Sequence, residues 1–247
     1  MEVHAHSHTH GKKNWTHYFW EFLMLFLAVF CGFLAENQRE HMVEHQRETK
    51  FIRSLISDLE ADTTRLGNII RLRDQRAYML DSFMLLLNGP NASSFSRDLY
   101  YYNSFATRGA AFRFIPDDAT MQQLKNAGNL RLIRKGNVSD SILAYDVTSR
   151  AYVWGNNDEE EIIDTYRSIA EGVFDGRVLN AMRDEDNNVS RLEYDPPIEV
   201  TADAVFRLSY RIHMLTVFNK TMRRDARRMK QTASSLLVLL KKEYNLQ

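Results

Sequence analysis

The sequence predicts an all-α protein: one N-terminal transmembrane helix continuing into an elongated antiparallel helical bundle with long, heptad-like helices. Three observations carry this expectation. An eighteen-residue apolar stretch, Tyr18 to Ala35, lies near the start. Two long apolar seams of the same period occupy opposite ends of the remaining chain. Only 10 Gly and 4 Pro punctuate the 247 residues, which favours long helices over a many-stranded fold.

The apolar stretch, YFWEFLMLFLAVFCGFLA, carries a single charge, Glu21. At about 1.5 Å per residue it makes roughly 27 Å of helix, just enough to cross a hydrocarbon core of about 30 Å. Trp15, Tyr18, Phe19 and Trp20 cluster at one end, as interfacial aromatics do. A cleaved signal peptide would need a small-x-small site, and Ala28, Gly32 and Ala35 are small. The next residues, however, form the helix-favouring run ENQREHMVEHQRETK, without Pro, Gly or Ser to unwind it for a peptidase. A buried core helix is the other alternative, because the uninterrupted apolar run from Phe22 is only fourteen residues. The aromatic collar favours a retained signal anchor. The expected organisation is a His-rich polar tail over 1–14, the transmembrane anchor over 15–35, a charged helical stalk over 36–50 and a helical bundle domain over 51–247.

Orientation is nearly balanced. Arg39, Arg47, Lys50 and Arg53 outnumber Lys12 and Lys13, which by the positive-inside rule favours a cytoplasmic domain. Lys12 and Lys13 stand free of acids, however, and a short tail ahead of a first span usually stays inside. The balance tips slightly to a periplasmic soluble domain.

After the span, apolar residues alternate at spacings of four and three: Ile52, Ile56, Leu59, Leu66, Ile70, Ala77, Leu80, Met84 and Leu87, with Thr63 and Arg73 filling the gaps. Asn88-Gly89-Pro90 stops this helix. Asp117-Asp118 opens a short helix, and Gly128 ends it. Leu130 to Ile133 is either extended or the start of another turn. Ser139 is the expected N-cap of a third helix through Ile142, Tyr145, Tyr152, Ile163 and Tyr166, with Gly155-Asn156-Asn157 a point of kinking or interruption. A loop covers Asp184 to Pro197. The last helix runs from about Thr201 to Tyr244, its seam passing through Val205, Leu208, Ile212, Leu215, Met222, Ala226, Met229, Ala233, Leu236 and Leu240. Asn219 is the polar intruder. Two seams of equal period most simply face each other.

Composition narrows the function classes. Lys plus Arg and Asp plus Glu both number 32, so no bulk field points to nucleic acid. The single Cys31 lies in the span, so no intramolecular disulfide forms. No HExxH, GxSxG, Walker-type or GxGxxG pattern occurs, and no His has Glu three residues before it as a bundle di-iron site needs. No cofactor and no intrinsic catalysis are expected.

Two passages, HYFWEFLMLFLAVFCGFLAENQREHMVEHQRE (17–48) and QLKNAGNLRLIRKGNVSDSILAYD (123–146), together with Lys242-Glu243-Tyr244 near the end, resemble a family of uncharacterised single-span membrane proteins of Bacteroidota whose shared domain is of unknown function. The likeness covers nearly the whole chain. It implies a bacterial inner-membrane protein and supplies no activity.

Candidate sites arise from residue types. His4, His6, His8 and His10 alternate in the tail and could wrap a metal ion; the competing expectation is a solvated tail whose ordering entropy weakens capture. His41 and His45, one turn apart, could form a half-site. Glu21 with Ala28 and Gly32 suggests helix–helix contact in the membrane, since a carboxylate there needs a partner or the interface. Arg131 and Arg134, displayed after Gly128, are a possible anion or partner contact. Tyr100-Tyr101-Tyr102 could stack a ligand or lid the core. The basic run Lys220, Arg223, Arg224, Arg227, Arg228, Lys230 reads as a solvated face, with Asp158 to Glu161 as counter-charge. The function expected is a membrane-anchored helical interaction or scaffold module, a homo-oligomer or the partner of another membrane protein, in a cell-envelope complex. A ligand-sensing or solute-capturing domain that signals through a partner is the alternative.

Overall fold

A computed structural model of the chain describes residues 15–126 and 128–246. Among these residues six α-helices occur in order: α1 (Trp15–Leu87), α2 (Ser96–Ala106), α3 (Ala119–Asn126), α4 (Gly136–Ala170), α5 (Gly176–Ala181) and α6 (Ala202–Glu243). Short 3-10 turns cover Ala92–Phe95, Ala110–Phe112 and Asn129–Leu132. Among the described residues there is no strand, only one bridge between Arg183 and Val189, so the protein is all-α. The chain divides into two compact units, Met1–Lys50 and Phe51–Gln247, and α1 contributes to both.

In the first unit, α1 holds an 18-residue window of mean hydropathy 2.0, none of it buried. This helix is long and apolar enough to cross a membrane. Phe22, Phe26 and Phe30 stack at one-turn spacing, with centroids 6.3 and 5.9 Å apart, and Trp15 stacks on Phe19. Beyond the apolar part the surface turns ionic, and Arg39 donates to Glu36 at 2.6 Å.

The second unit is a bundle of three long helical segments closed by a broken fourth wall. α6 runs antiparallel to residues 51–87 of α1, with Lys241 beside Glu60, Arg223 beside Asp74 and Ser209 beside Asn88. α4 runs parallel to that part of α1, since Tyr145 meets Asp62 and Glu159 meets Arg73 and Arg76. Two parallel neighbours require a return path, and residues 88–135 supply it. The return path holds α2, an extended stretch through 113–118, α3 and the turn at 129–132. Gly128, just beyond α3, has φ 63°, the left-handed conformation that glycine adopts without a Cβ penalty. Lys135 then donates to the Glu243 carboxylate at 2.9 Å and to the Glu243 carbonyl, fixing the start of α4 against the end of α6.

The core falls into two apolar clusters along the bundle. One joins Leu59 and Leu66 of α1, Leu124 of α3, Ile142 of α4 and Met229 and Leu240 of α6. The other joins Leu80, Phe83, Leu99, Tyr166, Ile212 and Leu215. Burying each Leu, Ile or Phe contributes about 1.5–3 kcal/mol, so these clusters carry the fold.

On α6 the buried line is the predicted seam from Leu208 to Leu240, Asn219 included, while Val205 is half-buried. On α1 one half of the seam shifts. Ile52, Leu59, Leu66, Arg73, Leu80 and Leu87 are buried as expected. The companion line begins at Leu55 and the predicted Ile56, both buried, and continues through Asp62, Ile69, Arg76 and Phe83, one residue before the predicted Thr63, Ile70, Ala77 and Met84. The broken wall covers that flank of α1, and charges at 62 and 76 hide the line from a hydrophobic reading. Ser139 is not the N-cap of α4: Lys135 takes that position, and the Ser139 hydroxyl donates to Gly136 within the first turn. Gly155-Asn156-Asn157 does not interrupt α4. Gly155 instead permits close approach to α6, because a Cβ there would lie 2.6 Å from Met222 Sδ.

Candidate functional site

A polar layer separates the two apolar clusters. Arg73 and Arg76, one turn apart on α1, are both 0% exposed, and Glu159 of α4 and Asn219 of α6 are buried with them. Arg73 donates to Glu159 at 2.6 and 3.0 Å, and Arg76 to the same carboxylate at 2.6 Å. Arg76 also donates to the Ala106 carbonyl at 2.9 Å, while Asn219 donates to the Arg73 carbonyl at 2.9 Å. The Phe112 ring covers both guanidiniums, at 5.2 and 4.7 Å from its centroid. Two guanidiniums against one carboxylate leave one net positive charge inside the bundle. Burial, opposed by the Glu159 carboxylate and reinforced by the Arg73 charge, pulls Arg76 below its ordinary pKa. Among the described residues, Arg76 Nε is buried without a hydrogen-bond partner.

Two side chains pin the extended stretch that closes this layer. Asn156 of α4 donates to the Phe114 carbonyl at 2.9 Å and accepts from the Phe114 N–H at 3.4 Å. Asp62 of α1 accepts from the Asp117 N–H at 3.1 Å and from the Tyr145 hydroxyl at 2.6 Å. Arg65 adds a contact to Asp62 at 3.2 Å. Burial raises the Asp62 pKa against these hydrogen bonds. It raises Tyr145 as well, helped by the hydrogen bond to Asp62.

Two grooves adjoin the layer. One, of about 600 Å³, lies between α1 and the extended stretch, lined by Arg65, Asn68, Ile69, Leu72, Arg113 and Ile115 among others. The second, of about 690 Å³, lies between α4 and α6 and is lined by Val147, Tyr152, Trp154, Phe218, Met222 and Arg228 among others. Trp154 is 74% exposed at its edge.

The residues singled out in the sequence do not gather here. His4, His6, His8 and His10 lie outside the described residues. His41 and His45 are on α1 in the first unit, where His45 Nδ1 is 3.4 Å from Glu48. Among the described residues, no group of three or more His, Cys, Asp or Glu could hold a metal ion. Glu21, Ala28 and Gly32 are exposed along α1, and a Cβ at Gly32 would touch nothing. Arg131 and Arg134 are exposed around the turn at 129–132, away from both grooves' linings. Tyr100 and Tyr102 are buried, and Tyr100 packs edge-on to Phe174 at 5.1 Å, a core role. The basic run meets Asp74 rather than the acidic run: Arg223 and Arg227 reach it at 2.7 and 3.3 Å. Glu159 is turned inward to Arg73 and Arg76, and Glu160 pairs with Arg167. Sequence periodicity flagged Arg73 and Asn219 as polar residues on core seams; Arg76, Asn156 and Asp62 gave no such signal. No family model, curated protein or solved structure matches the chain.

Proposed function

We propose that the chain is a membrane-anchored helical interaction module, an oligomeric accessory subunit of a bacterial cell-envelope complex without catalysis of its own. The apolar part of α1 is its retained anchor in the inner membrane, with Glu21, Ala28 and Gly32 at contacts between anchors and the second unit in the periplasm. The observation that carries this proposal is the exposed apolar row beside the α4–α6 groove. Leu143, Val147 and Trp154 recur at spacings of four and seven on α4, all exposed. Phe206, Tyr210 and Val217 do the same on α6, on the heptad line that continues to the groove residues Thr221 and Arg228. Large aromatics at the edge of a groove are the usual anchors of protein interfaces. Chemical crosslinking in native membranes, followed by affinity purification, tests it. Dimers or a reproducible partner are expected; monomer alone with no co-purifying protein would refute it.

A ligand-capturing role is the second reading, and a specific observation favours it: Arg113 faces the groove between α1 and the extended stretch with no ion-pair partner among the described residues.

A further inference from the structure

We infer that this groove binds a small oxyanion carried on an apolar body, resting on the ligand-capturing reading above and independent of oligomeric state. The groove has the two halves such a ligand requires. Its apolar surface comes from Ile69 and Leu72 on α1, Phe114 beneath, and Ile115, 68% exposed, on the opposite wall. Its polar surface comes from Arg65 and Arg113, with the Asn68 amide between the α1 contributions.

The charges favour an anion. Arg65 is shared between Asp62 at 3.2 Å and Asp117 at 3.9 Å, so the one acid on the groove's rim, Asp117, is already met. Arg113 adds a charge that nothing among the described residues offsets. Behind the groove wall, Phe112 covers Arg73 and Arg76, which among the described residues share only Glu159 and so hold one more positive charge in a poorly screened interior. A guanidinium presents a planar fork suited to carboxylate or phosphate oxygens, and charge-assisted bonds of this kind are roughly twice as strong as neutral ones. A volume of about 600 Å³ is of the size that takes a small molecule rather than a bare ion. The pocket is formed by a backbone stretch fixed at both ends by Asn156 and Asp62, so its walls are set before a ligand arrives.

The test uses the full chain in nanodiscs of neutral phosphatidylcholine, with empty nanodiscs as blank, titrated calorimetrically with phenyl phosphate. Saturable one-site binding is expected. Inorganic phosphate and benzyl alcohol, each carrying half of the ligand, should bind at least tenfold more weakly, and benzylammonium should not bind. Arg113→Gln, at an exposed position without an ion-pair partner among the described residues, should weaken phenyl phosphate about tenfold, which corresponds to about 1.4 kcal/mol. Ile115→Glu, which sets a carboxylate on the exposed wall, should weaken it at least as much. Absence of saturable binding, binding unchanged in both variants, or equal binding of benzylammonium would overturn the inference.

Discussion

Asn156 holds the backbone of Phe114 at both of its polar groups, donating to its carbonyl and accepting from its N–H. A side-chain amide thus does for the extended stretch what a neighbouring strand would do in a sheet. Among the described residues there is no strand to perform that task. Asn156→Ala leaves a buried donor and a buried acceptor unpaired, each costing about 1–3 kcal/mol, so a loss of about 2 kcal/mol or more is expected. For a domain of this size that lowers Tm by roughly 4–8 °C. Thermal unfolding of the variant checks it, and limited proteolysis should show new cleavage between residues 107 and 118. An unchanged melting temperature would mean that the stretch is held by its apolar contacts alone.

The long helices were legible because their apolar period is strong and their stops are chemical. α6 presents Leu208 to Leu240 on one line, and Asn88-Gly89-Pro90 ends α1 where the sequence says it should. The polar layer was only half legible. Arg73 and Asn219 fell on apolar lines and so stood out, but Arg76, Asp62 and Glu159 look like ordinary surface charges in any window of sequence. Their burial depends on the return path through residues 107–118, which has no period to read. Asn156 misled for a related reason. Gly-Asn-Asn has the composition of a turn, yet here glycine admits Met222 and asparagine bonds another segment's backbone, both tertiary demands that override local propensity.

Among the described residues, Glu159 is the only acid bonded to Arg73 and Arg76. Removing one partner of a buried ion pair leaves an uncompensated charge and costs about 3–5 kcal/mol. Glu159→Gln is expected to fall in that range by denaturant unfolding. Replacing Arg73, Arg76 and Glu159 together by Met or Leu should be far better tolerated than the single change, because the desolvation cost disappears with the charges. If the single variant is as stable as the parent, the layer is wetter than its burial indicates.

Asp62 makes stability pH-dependent in a direction opposite to most paired carboxylates. Burial raises its folded pKa above the unfolded value, so the folded state holds the proton more tightly. The stability gained from protonation is fully present below the ordinary carboxylate pKa and is lost as pH rises through the raised folded value. Asp62→Asn keeps one oxygen that can accept from the Asp117 N–H, lets its amide NH2 donate to the Tyr145 hydroxyl oxygen, and cannot ionise. Melting curves of both proteins across the acid range should show the variant gaining on the parent as pH rises. Parallel curves would show that the hydrogen bonds from Tyr145, Asp117 and Arg65 fully offset the desolvation.

Trp154 separates an interaction role from a structural one. It is 74% exposed, so Trp154→Ala should change the melting temperature little, within the roughly 0.5 kcal/mol typical of surface substitutions. Were it an interface anchor, its truncation would cost about 2 kcal/mol or more of association, roughly thirtyfold in Kd. The expected result is an unaltered melt together with loss of crosslinked dimer or of the co-purifying partner. Tyr78→Ala, at an exposed α1 position outside the lining of the α4–α6 groove, serves as the control and should leave association intact. A Trp154 variant that still crosslinks as the parent does would move the interface off this groove, to the anchors around Glu21 and Gly32.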